Sequence, residues 1–562
     1  MSSLSRPLLD DAEAPRPKDE EHKAVEPDAT KEEEDHLSWV ELGLLLFGFS
    51  SPSGCVGVAY SMGAVGVVLG PFLCIVVTAA TCCGALMLNA MVVALNPEPA
   101  DGLEALGAQI YGPRTGLWGR VIQQGNFVLY LPVALLICAE AAQGFMPETY
   151  LRERCVDYYV VGTSLVCFAL TQVRTLTGRA ASMLSRASLV CVAIVVALLL
   201  WIVFTNDPED YDDAANERPS GFRLAGNPDV ELLGEGSAST RRRHRRGWSK
   251  LCLGASTTAW AYVPTFLTVE VSRALRDPRR DFEKGLALSA SLNCAVFVVV
   301  GLSCVVRWGW DVTDPIMATD IWPSSEPRSK ALYFFWFVAT AISYAFSSMA
   351  LTAACARRWL PDLRWDTSRT TDAAQPDDDT PTTTTTKLSS EEEQAQNKNA
   401  PSASAVRAAW FVVSVPPFLL ALLMAIVVPS LFAMLAVTTA ATVPWVNNFY
   451  PAVLYWRFTR QRASSSPPPR TLLAVRDDDG DEAKVAPCPD DPPADHHRLE
   501  TKPVYLVDRV PARLLVGFTL GVGLLVFVAC AIGAVAKLAD HDLRGPVAIG
   551  CPGWRVFEDD LA

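Results

Sequence analysis

Charge is scarce in this chain, and two long tracts exclude it altogether. Only 19% of the 562 residues are Asp, Glu, Lys or Arg, against about 25% in a typical soluble domain. Leu42 to Pro97 carries no charged residue over 56 positions, and Ala408 to Trp456 carries none over 49. One bilayer crossing needs roughly 20 apolar residues, so each tract is long enough for two. A soluble core helix has no use for such runs. The pattern excludes a soluble enzyme and points to a polytopic membrane protein.

Other absences narrow the function. The six histidines are His22, His36, His244, His496, His497 and His541, and none lies in an apolar segment. Membrane enzymes that use histidine for metals or acyl transfer are therefore disfavoured, and the chain is expected not to be an enzyme. No Cys/His ligand spacing occurs in the polar parts, so no metal and no cofactor is expected. No Walker-type glycine-rich loop occurs, which disfavours ATP-driven transport. No Asn-x-Ser/Thr sequon marks an outer loop. The net charge of −13 gives no reason to expect a nucleic-acid partner. Residues 1–37 hold 12 acidic against 5 basic residues and lack the apolar core of a secretory signal. They read as a disordered acidic cytoplasmic N-tail. Most of the 15 cysteines, such as Cys74, Cys82, Cys83, Cys191 and Cys530, fall inside apolar runs, where Cys behaves as a small hydrophobe. Cys155, Cys488 and Cys551 lie in polar segments, and a Cys155–Cys551 disulfide stays open.

What is present is a set of eleven apolar segments, numbered here as spans one to eleven: 38–66, 69–95, 118–146, 157–174, 180–205, 251–273, 284–308, 330–356, 407–428, 430–457 and 511–537. The fold class expected is all-α integral membrane. Lys and Arg near span ends set orientation. A cytoplasmic N-terminus places Arg174, Arg179 and Arg186, then Arg273 to Lys284, then Arg357, Arg358 and Arg364, then Arg457, Arg460 and Arg462, all inside. The basic run 241–246 falls outside on that count, in a long loop where the rule weakens. The transmembrane domain is expected over 38–537, with disordered loops at 206–249, 366–406 and 463–500 and a C-terminal tail at 538–562. A channel, a receptor or a gradient-driven carrier remains.

Carriers of one class break two spans at corresponding positions of two repeats. Span one contains Ser50-Ser51-Pro52-Ser53-Gly54, and span six contains Gly254-Ala255-Ser256-Thr257-Thr258 followed by Pro264. Spans one and six are five apart, as an inverted repeat of five plus five requires. A break frees backbone N–H and C=O groups, which hydrocarbon tolerates only where something polar meets them. A half-helix N-terminus suits a carboxylate and freed carbonyls suit an ammonium, and an α-amino acid presents both. Two acids interrupt the apolar spans, Glu140 in span three and Glu270 in span six. Each is read either as an interfacial or ion-paired group, with Arg273 near Glu270, or as a functional acid.

The sequence from Ser53 to Gly66, Ser-Gly-Cys-Val-Gly-Val-Ala-Tyr-Ser-Met-Gly-Ala-Val-Gly, followed by Val67-Val68-Leu69-Gly70-Pro71, resembles the first-helix signature of the amino acid/auxin permease family, within the amino acid-polyamine-organocation superfamily. Ala259-Trp260-Ala261-Tyr262, then Val269-Glu270-Val271, then Leu275-Arg276-Asp277-Pro278 resemble its sixth helix, and Pro429 through Leu454-Tyr455-Trp456 the end of its domain. The chain departs from the family at Pro52, where Gly is usual, and at Gly57 and Val58, where Leu-Ser is usual.

The resemblance implies eleven helices, a LeuT-like 5+5 inverted repeat plus one extra helix, and helices one and six broken. It implies proton- or sodium-coupled amino acid transport, with protons favoured, and no cofactor beyond the ion gradient. By the same resemblance Ser51, Ser53, Gly54 and Cys55 hold the charged ends of the substrate, and Ala259, Trp260, Ala261 and Tyr262 form the opposite wall. Asn126, Tyr130, Ser347 and Ser348 are polar linings or, alternatively, helix–helix hydrogen-bonding residues. Glu270, then Glu140, are the proton-coupling candidates. The expected partners are an amino acid substrate and membrane lipid, with cytoplasmic partners for the tail and loops. The membrane is the plasma membrane or that of a vacuole or lysosome. A non-transporting amino acid sensor, and a carrier of auxin-like or polyamine substrates, remain alternatives.

Overall fold

The computed structural model describes residues 37–95, 102–146, 156–173, 179–205, 251–262, 267–272, 275–308, 327–360, 403–428, 431–465 and 510–540. All eleven apolar segments are helical over those residues. The helices are α1 Trp39–Val65, α2 Leu69–Leu95, α3 Gly102–Tyr111, α4 Pro113–Phe145, α5 Val156–Leu170 and α6 Arg179–Thr205. Residues 251–260 form α7. They are followed by α8 Thr268–Ser272, α9 Pro278–Trp308, α10 Pro327–Trp359, α11 Ala403–Val427, α12 Leu431–Pro444, a π-helical turn Trp445–Phe449, α13 Tyr450–Ser465 and α14 Ala512–Asp540. Among the described residues, seven helices are long and apolar enough to cross a membrane, or eight if the bent α1 counts as one span.

Local chemistry sets the start and end of α1. Ser38 accepts from the Glu41 backbone N–H at 3.2 Å, and the Glu41 carboxylate accepts from the Ser38 N–H at 3.1 Å, closing a capping box. At the far end Gly66 has φ 106° and its N–H bonds the Met62 carbonyl at 2.9 Å, a stop that favours glycine. Glu41 also pairs with Arg186 of α6 at 3.1 Å, fastening spans one and five at that end.

Packing repeats with a period of five spans. Spans three and eight (α4 and α10) lie against each other. Span one packs on span seven, and its counterpart five spans on, α8 of span six, packs on span two. Span three on four is matched by eight on nine, and span five on eight by ten on three. Span five on seven is matched by ten on two. A five-span unit is odd, so the second copy enters the bilayer from the opposite side. Span eleven (α14) stands outside the repeat, against α12, α13 and α2.

Two boundaries differ from the sequence reading. The loop between spans two and three contains α3, a ten-residue helix with Leu103, Leu106 and Ile110 buried. It is too short, and with Glu104 too polar, to register as an apolar run. Span three begins earlier than expected, at Pro113, and its Arg120 is matched by Glu104 of α3 in a short bidentate ion pair. The expected loops at 206–249 and 366–402 fall outside the described residues, as do residues 466–500. The expected loop limits give way at their edges, where α11 starts at Ala403 and α13 runs to Ser465. The N-tail over 1–36, the basic run 241–246, Cys155 and Cys551 also lie outside them.

Glycine makes the central crossing possible. A Cβ on Gly57 would overlap the γ-methyl of Thr257 on α7, and one on Gly54 would overlap the Phe297 ring and touch Ala261. Small residues of this kind let helix backbones approach in a membrane, where no hydrophobic force drives helices together. Gly57→Ala is expected to lower the thermal midpoint of the purified protein by several degrees, the overpacking costing about 1–3 kcal/mol. Thr257→Ser removes the clashing methyl and keeps the hydroxyl that donates to the Leu253 carbonyl. The double variant should therefore recover most of the loss in a melting curve. Additive losses would show that the Gly57–Thr257 contact does not set the crossing.

Candidate functional site

The site forms where spans one and six lose their straight course. The two parts of α1, Trp39–Cys55 and Gly57–Val65, meet at 61°. The backbone stays helical through Ser50–Gly54, so the bend lies just after the Ser-Ser-Pro-Ser-Gly run rather than within it. Pro52 has no N–H for the Gly48 carbonyl four residues earlier, and that carbonyl accepts from Ser188 instead. In span six α7 ends at Trp260, Ala261 and Tyr262 form a turn, and helix resumes at Thr268. Pro264 lies outside the described residues.

Side chains from other spans meet the carbonyls around these points. Trp336 Nε1 of α10 donates to the Pro52 carbonyl at 2.9 Å. Ser343 donates to the Phe49 carbonyl at 3.2 Å and Ser188 of α6 to the Gly48 carbonyl at 2.9 Å. The Tyr262 carbonyl accepts from Asn447 Nδ2 at 2.9 Å. Asn447 and Asn448 are buried in the π-helical turn of span ten, a deviation that re-aims side chains and recurs at functional sites.

Two further contacts tie the breaks together. The ring of Tyr130 on α4 stacks between Phe49 of α1, at 5.5 Å, and Trp260 of α7, at 5.3 Å. On the far side of α1, Ser61 donates to the Gly254 carbonyl at 2.7 Å and shares a short hydrogen bond with the Thr258 hydroxyl.

The sequence candidates divide on this geometry. Gly54, Tyr130, Ala261 and Trp260 come together at the crossing of spans one, three and six, and Ser53, Cys55, Ala259 and Tyr262 are buried with them. Tyr262 meets Phe297 edge-on at 5.3 Å. The Ser51 hydroxyl is taken up by span seven, donating to Asn293 Oδ1 of α9 at 2.8 Å. Asn293 in turn donates to Ser50 at 2.7 Å and contacts Ser289 at 3.3 Å. Ser347 donates to the Ser343 carbonyl of its own helix at 3.1 Å, the ordinary use of a membrane serine. Ser348 is buried on the same helix. Asn126 is fully buried, one turn from Tyr130.

The two acids also separate. Glu140 is half-buried near the C-terminal end of α4, two turns and more from Tyr130. Glu270 lies in α8, and its Oε1 accepts from Gln123 Nε2 of α4 at 2.7 Å. Gln123 Oε1 accepts from the Leu103 N–H at the start of α3 at 3.1 Å. Glu270 is thus linked through one amide to a helix N-terminus, where partial positive charge suits a carboxylate. Arg273, its expected ion partner, lies outside the described residues. Among the described residues no group of three or more His, Cys, Asp or Glu is placed to hold a metal ion.

Sequence reasoning missed Gln123, Asn293, Ser343, Trp336 and Asn447. The signal for two of them was present. Asn293 interrupts the apolar run of span seven, and Asn447-Asn448 sit between Pro444 and Pro451 in an uncharged tract.

Comparison with known proteins agrees with this architecture. No curated protein sequence matches the chain. Among solved structures, the chain is similar to MhsT in complex with L-phenylalanine, with a TM-score of 0.50 at 9% identity over 88% of this chain and 99% of that one. A substrate-bound, outward-open Na+-coupled sialic acid symporter aligns with a TM-score of 0.37 at 11% identity, over 74% of this chain and 80% of that one. The first likeness shows the fold. The family described as "Transmembrane amino acid transporter protein" matches residues 36–468. That match covers most of the chain and includes both broken spans, and the chain belongs to this family of multi-pass membrane transporters.

Proposed function

We propose that this chain is a secondary active carrier that moves amino acids by alternating access, coupled to a proton gradient. The observation that carries the reading is the meeting of the bent α1 with the interrupted span six at Gly54, Gly57, Thr257 and Ala261. The two five-span repeats supply the rocking bodies. The buried aromatic stack of Phe49, Tyr130 and Trp260 closes one side of the crossing, and such a stack must part or shift for a site behind it to open.

Glu270 is the proposed proton carrier. It is half-buried, lies at the resumption of span six and contacts span three through Gln123. A carboxyl group at this place exchanges a full charge for a neutral acid. The change alters its interaction with both the Gln123 amide and the α3 N-terminus. The proton role for Glu140 has less support, since that residue is remote from the crossing.

Purified protein in liposomes should accumulate labelled amino acids when the outer side is acidified, and the accumulation should collapse with a proton ionophore. Glu270→Gln fixes a neutral group at that position. It should abolish gradient-driven accumulation while exchange of internal for external substrate persists. Full pH-driven uptake by Glu270→Gln would remove the proton role from this residue. Saturable binding without any flux would replace the carrier reading with that of a sensor.

A further inference from the structure

Positive charge gathers at the end of the bundle where α3 meets α13. Tyr111, the last residue of α3, donates to the Val453 carbonyl at 3.4 Å and carries the Arg457 guanidinium over its ring at 5.8 Å. One turn further along α13, Arg460 lies over the Trp456 ring at 4.4 Å. Gln461 donates to the Ile110 carbonyl at 3.2 Å, which joins the two helix ends. Gly112, at φ 101°, then turns the chain, and Arg114 stands in the first turn of α4. Arg114, Arg457 and Arg460 are exposed, and among the described residues none has a carboxylate partner. The one acid on α3, α13 and the first three turns of α4 is Glu104, and Arg120 holds it. The same helices mark the edge of the hydrocarbon. Val453, one turn before Arg457, and Leu117, Trp118 and Val121, one to two turns after Arg114, are exposed apolar side chains. Such side chains on a membrane helix face lipid, so the three arginines stand where the hydrocarbon ends. The orientation expected from the basic loops puts this end in the cytoplasm, against the leaflet that holds anionic lipids.

We propose that this corner binds the headgroup of an anionic phospholipid, and that it prefers a headgroup with a phosphomonoester to one with a phosphodiester alone. The proposal does not depend on the carrier reading. A guanidinium lying over a ring uses its face there and keeps its edge of N–H donors free. Arg457 and Arg460 are thus held before a ligand arrives, so less side-chain freedom is lost on binding. Each edge fits two oxygens of a phosphate. A monoester presents three acceptor oxygens and up to two negative charges, a phosphodiester two oxygens and one charge. Three arginines without an acid favour the former, and Arg462 on the same helix adds to the field. The acyl chains have Val453, Leu117 and Trp118 to lie on, an apolar surface of no use to a free phosphate. Arg279 and Arg280 at the start of α9 offer a contrast. They are exposed as well, but among the described residues they lie over no ring.

The test is thermal unfolding of full-length protein in detergent micelles that hold phosphatidylcholine alone or with added phosphatidylinositol 4-phosphate. The added lipid should raise the midpoint of wild type by several degrees, and the shift should grow with its concentration. Phosphatidylglycerol, a phosphodiester, should act more weakly, and equal action would overturn the monoester preference. Arg457→Gln combined with Arg460→Gln should weaken the apparent affinity about tenfold or more, as for the loss of charge-assisted hydrogen bonds. Arg457→Lys with Arg460→Lys keeps the charges but not the planar forks, and should show much of the same loss. Arg279→Gln with Arg280→Gln should leave the shift unchanged. Equal losses in the two glutamine pairs would overturn the site, showing attraction to the basic side of the bundle at large. The same shift from inorganic phosphate would overturn the lipid as its occupant. If the substituted proteins do not fold, wild type decides. A photoactivatable phosphatidylinositol 4-phosphate should crosslink to peptides of α3, α13 or the start of α4, and labelling confined to other spans would overturn the proposal.

Discussion

A helix broken inside hydrocarbon leaves carbonyl and amide groups with no water to turn to, and each one unmet costs several kcal/mol. The arrangement of this bundle depends on meeting them. Around α1 the carbonyls of Gly48, Phe49 and Pro52 are met by Ser188, Ser343 and Trp336 from spans five and eight. Around span six the Tyr262 carbonyl is met by Asn447 from span ten. The donors come from two positions of the five-span repeat, the third (span eight) and the fifth (spans five and ten). The bends therefore do not weaken the bundle but supply the polar contacts by which neighbouring spans hold spans one and six.

Close approach is the second requirement, and small residues provide it. Gly54 and Gly57 bring α1 onto Ala261 and Thr257, and Gly254 brings α7 onto Ala64 and Val65. With the backbones this near, Ser61 and Thr258 share a hydrogen bond across the crossing. The Phe49–Tyr130–Trp260 stack then fills the space above it with rings rather than lipid or water.

Much of this was legible in the sequence because hydrophobic length is a long-range signal that tertiary contacts seldom override. Apolar runs located the long helices, and Pro52 with Gly54 marked a bend within a few residues. The Ala-Trp-Ala-Tyr run was read as a substrate wall only through its resemblance to a family motif, for its first two residues continue α7. What stayed hidden depends on partners far away in the chain. Ser51 reads the same whether it faces a substrate or Asn293, some 242 positions on. Short α3 gave no apolar run, so nothing announced that Gln123 would bridge it to Glu270. The π-helical turn at Trp445–Phe449 arises between two prolines and has no local code of its own.

The α3 hairpin shows how a local feature reaches both repeats. Gly102 starts this helix at φ +49°, and a Cβ there would press on Gln123 Oε1 and Glu270 Oε1. Tyr450 of span ten donates toward the Leu103 and Thr115 carbonyls at 3.2 and 3.0 Å, in a space kept open by Gly107 and Gly119. One short helix thus touches span three through Gln123 and Arg120, span six through Glu270 and span ten through Tyr450. A charge change at Glu270 acts on the Gln123 amide, and that amide caps α3. Moving α3 strains the Tyr450 contact in the second repeat. A carboxylate near the end of span six is therefore connected, through the Gln123 amide and α3, to Tyr450 of span ten.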